Sequence, residues 1–300
     1  MEAASTSLDD RIYTPCLLCG GSDFAIIAVP SDIAFQQCYL QQFHRSRLIE
    51  SLSAEARRYS LTDRVSFTHN YETYIVACRV CGLLCRNPHP PAGAVTEAYA
   101  ALEESPQPSH AVDAVVIWNT FDQLPDPRPL LTTIAQLLKP EGLLVIRIPH
   151  GNCYRSAMEL TKVHRWMRKP VYTGLAWNNL LGFPYLYGYG LTTLDCLAGE
   201  FGLFREAVYP DTLMMAAVAG VKWWVTLEER FVKRFCRWTI TLDQWMGDLS
   251  LGHATWLDVY YRKPSRSLGP SKSVPGLSPV GAHCILDQTV AGRATQSSYA

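Results

Sequence analysis

The sequence predicts an α/β protein in which a small cysteine-rich module precedes the sheet. Residues 114–118 and 143–148 are continuous apolar runs, as expected of strands buried on both faces. Between them, Leu130, Ile134 and Leu137 repeat at helical spacing. Strand, helix and strand in this order indicate a parallel sheet. Two Cys-x-x-Cys pairs before these elements indicate the module.

Composition restricts the classes of function. The chain has 300 residues, of which 48% are hydrophobic, enough for a sizeable core and roughly two domains. Lys+Arg and Asp+Glu both number 27, so the basic excess typical of nucleic-acid-binding proteins is absent. The N-terminus does not read as a signal peptide, and no stretch reaches the ~20 apolar residues of a membrane span. We expect a cytoplasmic protein that binds no nucleic acid.

Breaks in the pattern divide the chain into three predicted regions. Residues 1–91 contain the cysteine module and end in Asn87-Pro88-His89-Pro90-Pro91, which interrupts regular structure. Residues 92–263 carry the α/β pattern. Ser, Pro and Gly dominate residues 264–300, which predicts a disordered tail.

Several further elements follow from local patterns. A helix over residues 33–58, capped by Ser31 or Asp32, is predicted inside the module. Thr192 and Asp195 have the spacing of a capping box ahead of a second helix, which ends at Gly202. Further strands and one short helix are predicted over residues 24–29, 65–68, 74–77, 92–103 (the helix), 204–209 and 256–262.

A long amphipathic helix is predicted over residues 222–246. Its apolar face is formed by Trp224, Leu227, Phe231, Phe235, Trp238, Leu242 and Trp245. The pattern favours a helix that faces the core or covers a site. A Trp-rich basic helix that lies on a membrane surface is the alternative.

The two cysteine pairs have the spacing of a zinc site. Cys16-Leu17-Leu18-Cys19-Gly20 and Cys78-Arg79-Val80-Cys81-Gly82 share one pattern, and two intervening residues allow both thiolates of a pair to reach one ion. The glycine after each pair permits a tight turn that directs amides at the sulfurs. Four thiolate ligands indicate a closed, structural Zn²⁺ site. Metal-free buried cysteines or a redox pair are the alternatives.

Several motifs together resemble a known family. The segment Tyr74 to Leu83, followed by Asn87-Pro88-His89-Pro90 and Tyr99, resembles the zinc-binding entry of C-methyltransferase-like proteins. Val112-Asp113-Ala114-Val115-Val116 is similar to the fourth strand of class I S-adenosylmethionine (SAM)-dependent methyltransferases. The Asp126-Pro127 turn, Lys139-Pro140-Glu141-Gly142 and the closing segment from Trp256 to Lys263, which resembles the last strand of these proteins, continue the match in order. The resemblance implies an incomplete Rossmann-like methyltransferase sheet preceded by a zinc-ribbon-like domain.

The resemblance implies a sheet edge that would face the reactants. Asn119 and Thr120 are the candidate cofactor-binding residues, and Asp122 and Gln123 the candidate catalytic residues. The chain departs from the family at Gln123, where a histidine is common, because an amide cannot serve as a general base. A polar loop without function is the alternative for these residues.

The larger departure concerns the cofactor. The family binds SAM at an acidic, glycine-rich turn after the first strand, but only 12 residues separate Tyr99 from Val112, too few for three strands with their crossovers. We therefore expect a methyltransferase-family protein with impaired cofactor binding, whose implied substrate is a sugar or another small-molecule acceptor. A non-catalytic zinc-containing binding or scaffolding protein is the alternative. The oligomeric state is left open.

Overall fold

A computed structural model describes residues 14–47, 72–89, 111–212, 222–245 and 252–265. The strands are β1 (Phe24–Ala28), β2 (Tyr74–Cys78), β3 (Leu84–Asn87), β4 (Val112–Trp118), β5 (Leu138–Pro149), β6 (Tyr187–Gly188), β7 (Phe204–Asp211) and β8 (Trp256–Arg262). The helices are α1 (Pro30–Arg47), α2 (Arg128–Leu137), α3 (Gly151–Val163), α4 (Arg168–Trp177), α5 (Leu191–Gly199) and α6 (Trp223–Trp245). Single 3₁₀ turns lie at Phe121–Gln123 and Arg165–Met167.

The larger part of the fold is built on a mixed sheet of order β4-β5-β8-β7. β4 and β5 are parallel and joined through α2, whereas β8 runs antiparallel to both of its neighbours. The α/β class is therefore confirmed, but the sheet is not wholly parallel: β4, β5 and β7 run in one direction and β8 runs against them. The order of the strands explains the difference, because the last strand inserts between β5 and β7 rather than extending the edge.

One face of this sheet forms the core. Ile117, Ile146 and Val259 lie side by side on three adjacent strands and share a buried cluster with residues of α2 and α5. On the other face, Val116 and Trp118 of β4 are 57% and 56% exposed. The prediction that this strand is buried on both faces is wrong, because β4 is the edge strand of the sheet among the described residues and the helices that share its core lie on one side.

The second sheet is antiparallel and has the order β1-β2-β3-β6. Its last strand comes from far along the chain: Cys85 pairs with Tyr187, and Leu84 pairs with Gly188. α1 contacts α4 through a 2.8 Å hydrogen bond between the hydroxyls of Tyr39 and Thr173. Two buried clusters each contain residues from both sides of the predicted boundary at residue 91. The cysteine module therefore shares its core with the rest of the described chain.

The helices differ from the predictions in two places. α5 is capped at Gly190, whose N–H donates to Thr193 Oγ1 over 2.8 Å, so the predicted capping box at Thr192 and Asp195 is wrong. Asp195 instead accepts a hydrogen bond from the Tyr261 hydroxyl. α1 starts at Pro30 and is described as far as Arg47. The elements predicted at residues 65–68 and 92–103, and the tail beyond residue 265, lie outside the described residues.

α6 has the predicted length but not the predicted orientation. Leu227, Phe231, Phe235, Trp238 and Trp245 are all more than half exposed, while Val225 and Ile240 on another face are buried. The prediction of a core-facing apolar stripe is wrong. Among the described helices, none is long and apolar enough to cross a membrane.

Candidate functional site

The four paired cysteines meet at one point. The Sγ atoms of Cys16, Cys19, Cys78 and Cys81 all lie within 4.8 Å of one another. The shortest separations join the two pairs, at 3.5 Å from Cys16 to Cys81 and 3.5 Å from Cys19 to Cys78. A tetrahedral ion with ~2.3 Å bonds to sulfur places its ligands ~3.8 Å apart, so the donor set fits Zn²⁺.

Both cysteine turns have the same backbone geometry. The N–H of Gly20 donates to the carbonyl of Cys16 over 2.8 Å, and the N–H of Gly82 donates to the carbonyl of Cys78 over 2.9 Å. Gly20 and Gly82 have φ angles of 69° and 79°, a left-handed conformation that favours glycine. The common geometry explains the common sequence pattern and directs both pairs of thiols at the same centre.

Hydrogen bonds within the cluster shift the pKa values of its thiols in opposite directions. The hydrogen bond with Cys81, opposed by burial and assisted by the amides of Cys19 and Leu18, lowers the pKa of the Cys16 thiol to about 5. The same contact, together with burial, raises the pKa of Cys81. Burial raises the pKa of Cys19 to about 11. Amides that point at a sulfur stabilise a thiolate, which is the form that binds a metal.

Two other cysteines do not join the cluster. Cys85 lies in β3 outside the group of four, and burial raises the pKa of its thiol to about 12. Cys196 lies in α5, also outside the group of four. The cluster therefore consists of the two Cys-x-x-Cys pairs alone among the described cysteines.

Arg128 links the first cysteine turn to the α/β part of the chain. Its Nη1 donates to the carbonyl of Leu17 over 2.9 Å, and its Nε donates to Glu200 over 3.0 Å. Arg128 is the first residue of α2, and Glu200 follows α5. Two helices of the α/β part thus hold the backbone between Cys16 and Cys19. The sequence analysis missed this residue, and a contact between positions 17 and 128 leaves no local pattern that would reveal it.

The predicted sheet-edge residues form one tight turn after β4. Asn119 adopts a φ of 61°, and its N–H donates to the carbonyl of Arg147 over 3.2 Å. The Gln123 side-chain amide donates to the carbonyl of Asn119 over 3.0 Å, and the Gln123 N–H donates to the carbonyl of Thr120 over 3.0 Å. The amide of Gln123 therefore holds the turn closed.

Asp122 is buried in the same turn, beside an aromatic cluster. Phe121 packs against Tyr189 with ring centroids 5.3 Å apart. Burial raises the pKa of Tyr189 well above its usual value, and electrostatic interactions with Tyr187 and Asp122 raise it further. Phe121 also shares a buried cluster with Cys16 and Cys78. The sheet-edge turn and the cysteine module are thus parts of one packed unit.

The Tyr187-Gly188-Tyr189-Gly190 segment explains two glycines. A Cβ on Gly151, at the start of α3, would lie 2.4 Å from the carbonyl oxygen of Gly188. A Cβ on Gly188 would lie 2.9 Å from Cβ of Leu84 in β3. The N–H of Gly151 donates to the carbonyl of Tyr189 over 2.9 Å. Gly151, the glycine that follows β5, therefore packs directly against the backbone of the β6 segment.

Comparison with known proteins relates part of the chain to methyltransferases. A family model described as a methyltransferase domain matches residues 50–181, which is less than half of the chain. No curated protein sequence matches the chain significantly.

Solved structures show weaker likeness. A putative sarcosine dimethylglycine methyltransferase from Galdieria sulphuraria is 13% identical over 58% of this chain and 68% of its own, with a TM-score of 0.27. The Haloferax volcanii complex of the Trm112 methyltransferase activator and a putative methyltransferase is 15% identical over 58% of this chain and 69% of its own, with a TM-score of 0.31. The plantazolicin methyltransferase BpumL in complex with SAH and a pentazolic analogue is 11% identical over 54% of this chain and 56% of its own, with a TM-score of 0.28. These TM-scores are too low to support an argument about function.

Proposed function

We propose that this chain is a methyltransferase-family protein whose four-cysteine cluster holds a structural zinc ion. The mixed sheet is the main support for the proposed family. The segment that resembles the fourth methyltransferase strand forms β4, and the segment that resembles the last strand forms the antiparallel β8. The methyltransferase-domain match over residues 50–181 supports the same relationship.

The zinc proposal rests on the four converging sulfurs. Cys16, Cys19, Cys78 and Cys81 would supply all four ligands, so the ion would have no open position for a substrate. When bound, zinc supplies a cross-link between the two cysteine turns. Arg128 connects the first cysteine turn to α2 and to the end of α5, because it donates hydrogen bonds to Leu17 and Glu200.

The proposed reaction class is methyl transfer to a small acceptor, such as carbon methylation of a sugar, with SAM as the donor. Our proposal includes the expectation that the chain as given binds SAM poorly. The segment between Tyr99 and Val112 lies almost wholly outside the described residues, and its length is too short for the missing strands. The loss of several oriented hydrogen bonds, each ~1 kcal/mol, would weaken binding by orders of magnitude.

A non-catalytic zinc-containing binding or scaffolding protein is the second candidate. The observation that favours it is the closed turn after β4, where the Gln123 amide is engaged by the carbonyl of Asn119. A residue held in this way stabilises the turn and offers no base for an acceptor.

Metal analysis and SAM calorimetry on the purified full chain test these proposals. We expect one zinc per chain, loss of zinc in Cys78→Ser, and retention of zinc in the matched control Cys85→Ser. Substoichiometric zinc that Cys78→Ser leaves unchanged would contradict the metal site. We expect no measurable heat from SAM at micromolar concentrations. A micromolar dissociation constant would instead show that a working cofactor site exists and would exclude the scaffolding alternative.

A further inference from the structure

α6 exposes an aromatic stripe along its whole length. The stripe comprises Trp223, Leu227, Phe231, Phe235, Trp238 and Trp245, whose side chains are between 55% and 83% exposed. At 1.5 Å per residue the helix is roughly 33 Å long, so the stripe is a continuous surface feature rather than scattered apolar residues.

The stripe is bordered by a basic flank. Arg230, Arg234 and Arg237 are exposed, and among the described residues they form no ion pair. At 100° per residue, Arg234 projects between Trp223 and Leu227, and Arg230 and Arg237 lie immediately beside them. The exposed surface of α6 therefore combines large apolar side chains with three positive charges that no acidic residue of the described chain neutralises.

The acidic residues of α6 are engaged on the side that faces the protein. Glu228 accepts a 2.8 Å hydrogen bond from Arg47 of α1. Glu229 pairs with Lys233 at 2.6 Å. The buried carboxylate of Asp243 accepts from the N–H of His253 over 2.9 Å. The contacts of Glu228 with Arg47 and of Asp243 with His253, together with the buried Val225 and Ile240, fix the helix with its aromatic stripe outward.

The stripe is broader than the seam of a partner helix. A helix–helix seam needs apolar residues at both alternating positions of a heptad. Phe231, Phe235, Trp238, Leu242 and Trp245 have that spacing. A partner helix on this seam would leave Trp223, Leu227 and the three arginines beside them uncovered, whereas a bilayer surface contacts all of them. A helix with Trp, Phe and Leu beside arginines is instead the composition of helices that lie in a membrane interface.

We propose that α6 binds the surface of an anionic lipid bilayer. The aromatic stripe enters the boundary between headgroups and acyl chains, and Arg230, Arg234 and Arg237 contact the acidic headgroups. The helix lies parallel to the bilayer plane and does not cross it. This inference is independent of the proposed methyltransferase function.

Vesicle cosedimentation of the full chain tests the proposal. We expect binding to phosphatidylcholine vesicles that contain phosphatidylserine, and at least ~10-fold weaker binding to phosphatidylcholine alone. Replacing the three arginines with glutamine should abolish this preference, at roughly fivefold per charge. The double variant Phe231→Ser/Trp238→Ser should bind both vesicles at least ~10-fold more weakly.

A matched control separates the stripe from exposed aromatic residues in general. Phe204 of β7 is 51% exposed, close to the value for Phe235, and lies on the sheet rather than on α6. Phe204→Ser should leave vesicle binding unchanged, and thermal melts should show that every variant folds. Equal vesicle binding by the wild type and Phe231→Ser/Trp238→Ser would overturn the proposal. So would a stripe variant that changes only the sedimentation coefficient of the free protein, since that result assigns the stripe to a second copy of the chain.

Discussion

Gly151 lies where the start of α3 contacts the first sheet, and this contact depends on the absence of a side chain. Its missing Cβ would lie 2.4 Å from the backbone oxygen of Gly188, which is held in place by the pairing of β6 with β3. Backbone cannot rotate away as a long side chain can. Gly151 therefore permits α3 to start directly against the first sheet.

We expect Gly151→Ala to destabilise the chain by roughly 1–3 kcal/mol, as for other overpacked positions. Gly174 in α4 is the matched control, because nothing lies within 4 Å of a Cβ added there. Gly174→Ala should stabilise the fold by up to ~1 kcal/mol through helix propensity. Urea unfolding of both variants measures the contrast. Equal stability of the two would mean that the backbone at Gly188 yields.

A second residue-scale effect concerns pH. His89 packs edge-on against Tyr187, and burial lowers its pKa below the ordinary 6.5. The folded chain then binds a proton less readily than the unfolded chain. The contribution to stability is complete above pH ~6.5 and is lost as pH falls below that value.

His89→Asn should therefore flatten the decline in unfolding free energy between pH ~7.5 and pH ~5.5. His164→Asn, at an exposed position, is the control and should follow the wild type. Any effect of pH on the cysteine cluster is common to all three proteins and cancels in the comparison. Identical pH profiles for His89→Asn and wild type would contradict the assignment.

At the scale of elements, the sequence predicts what depends on neighbouring residues. β5 and β8 follow from apolar runs, and the two cysteine turns follow from their spacing. The two residues of β6 have no periodicity of their own, and their pairing with β3 depends on a contact across about 100 positions. α3 and α4 were likewise not predicted.

Orientation was predicted less well than element type. An apolar strand reads the same whether one face or both are covered, so the exposure of Trp118 could not be foreseen. The stripe of α6 shows the same limitation, because amphipathic spacing does not specify which face meets the protein. The converging cysteines were predictable, whereas Arg128 became visible only with the tertiary contacts.

The N-terminus of α5 offers a test of the observed cap against the predicted one. Thr193 Oγ1 accepts the Gly190 N–H and donates to the Gly190 carbonyl, both over 2.8 Å. Thr193→Ala should cost about 1 kcal/mol of unfolding free energy. Thr192→Ala, at the neighbouring exposed position, should change it by less than ~0.5 kcal/mol. A larger loss in Thr192→Ala would restore the capping box predicted from sequence.

At the scale of the whole molecule, the cysteine cluster and the mixed sheet share one core. Cys16, Leu18 and Cys78 belong to the same buried cluster as Phe121, Ile146 and Val259. Arg128 adds a polar link between the first cysteine turn and two helices. The proposed zinc ion should consequently stabilise both sheets and not only the turns that bind it.

Tryptophan fluorescence can test this coupling, because all eight tryptophans follow the cysteine turns in the chain, the first being Trp118. Zinc binding at four thiolates contributes of order 10 kcal/mol in small domains, so a strong chelator should lower the tryptophan melting temperature by at least ~10 °C. Zinc release, followed with a chromophoric indicator, should coincide with that transition. Cys78→Ser should melt at the lower temperature with or without chelator, whereas Cys85→Ser should respond as the wild type does. A tryptophan transition that the chelator leaves unchanged would mean that the cluster and the mixed sheet unfold independently, despite their common core.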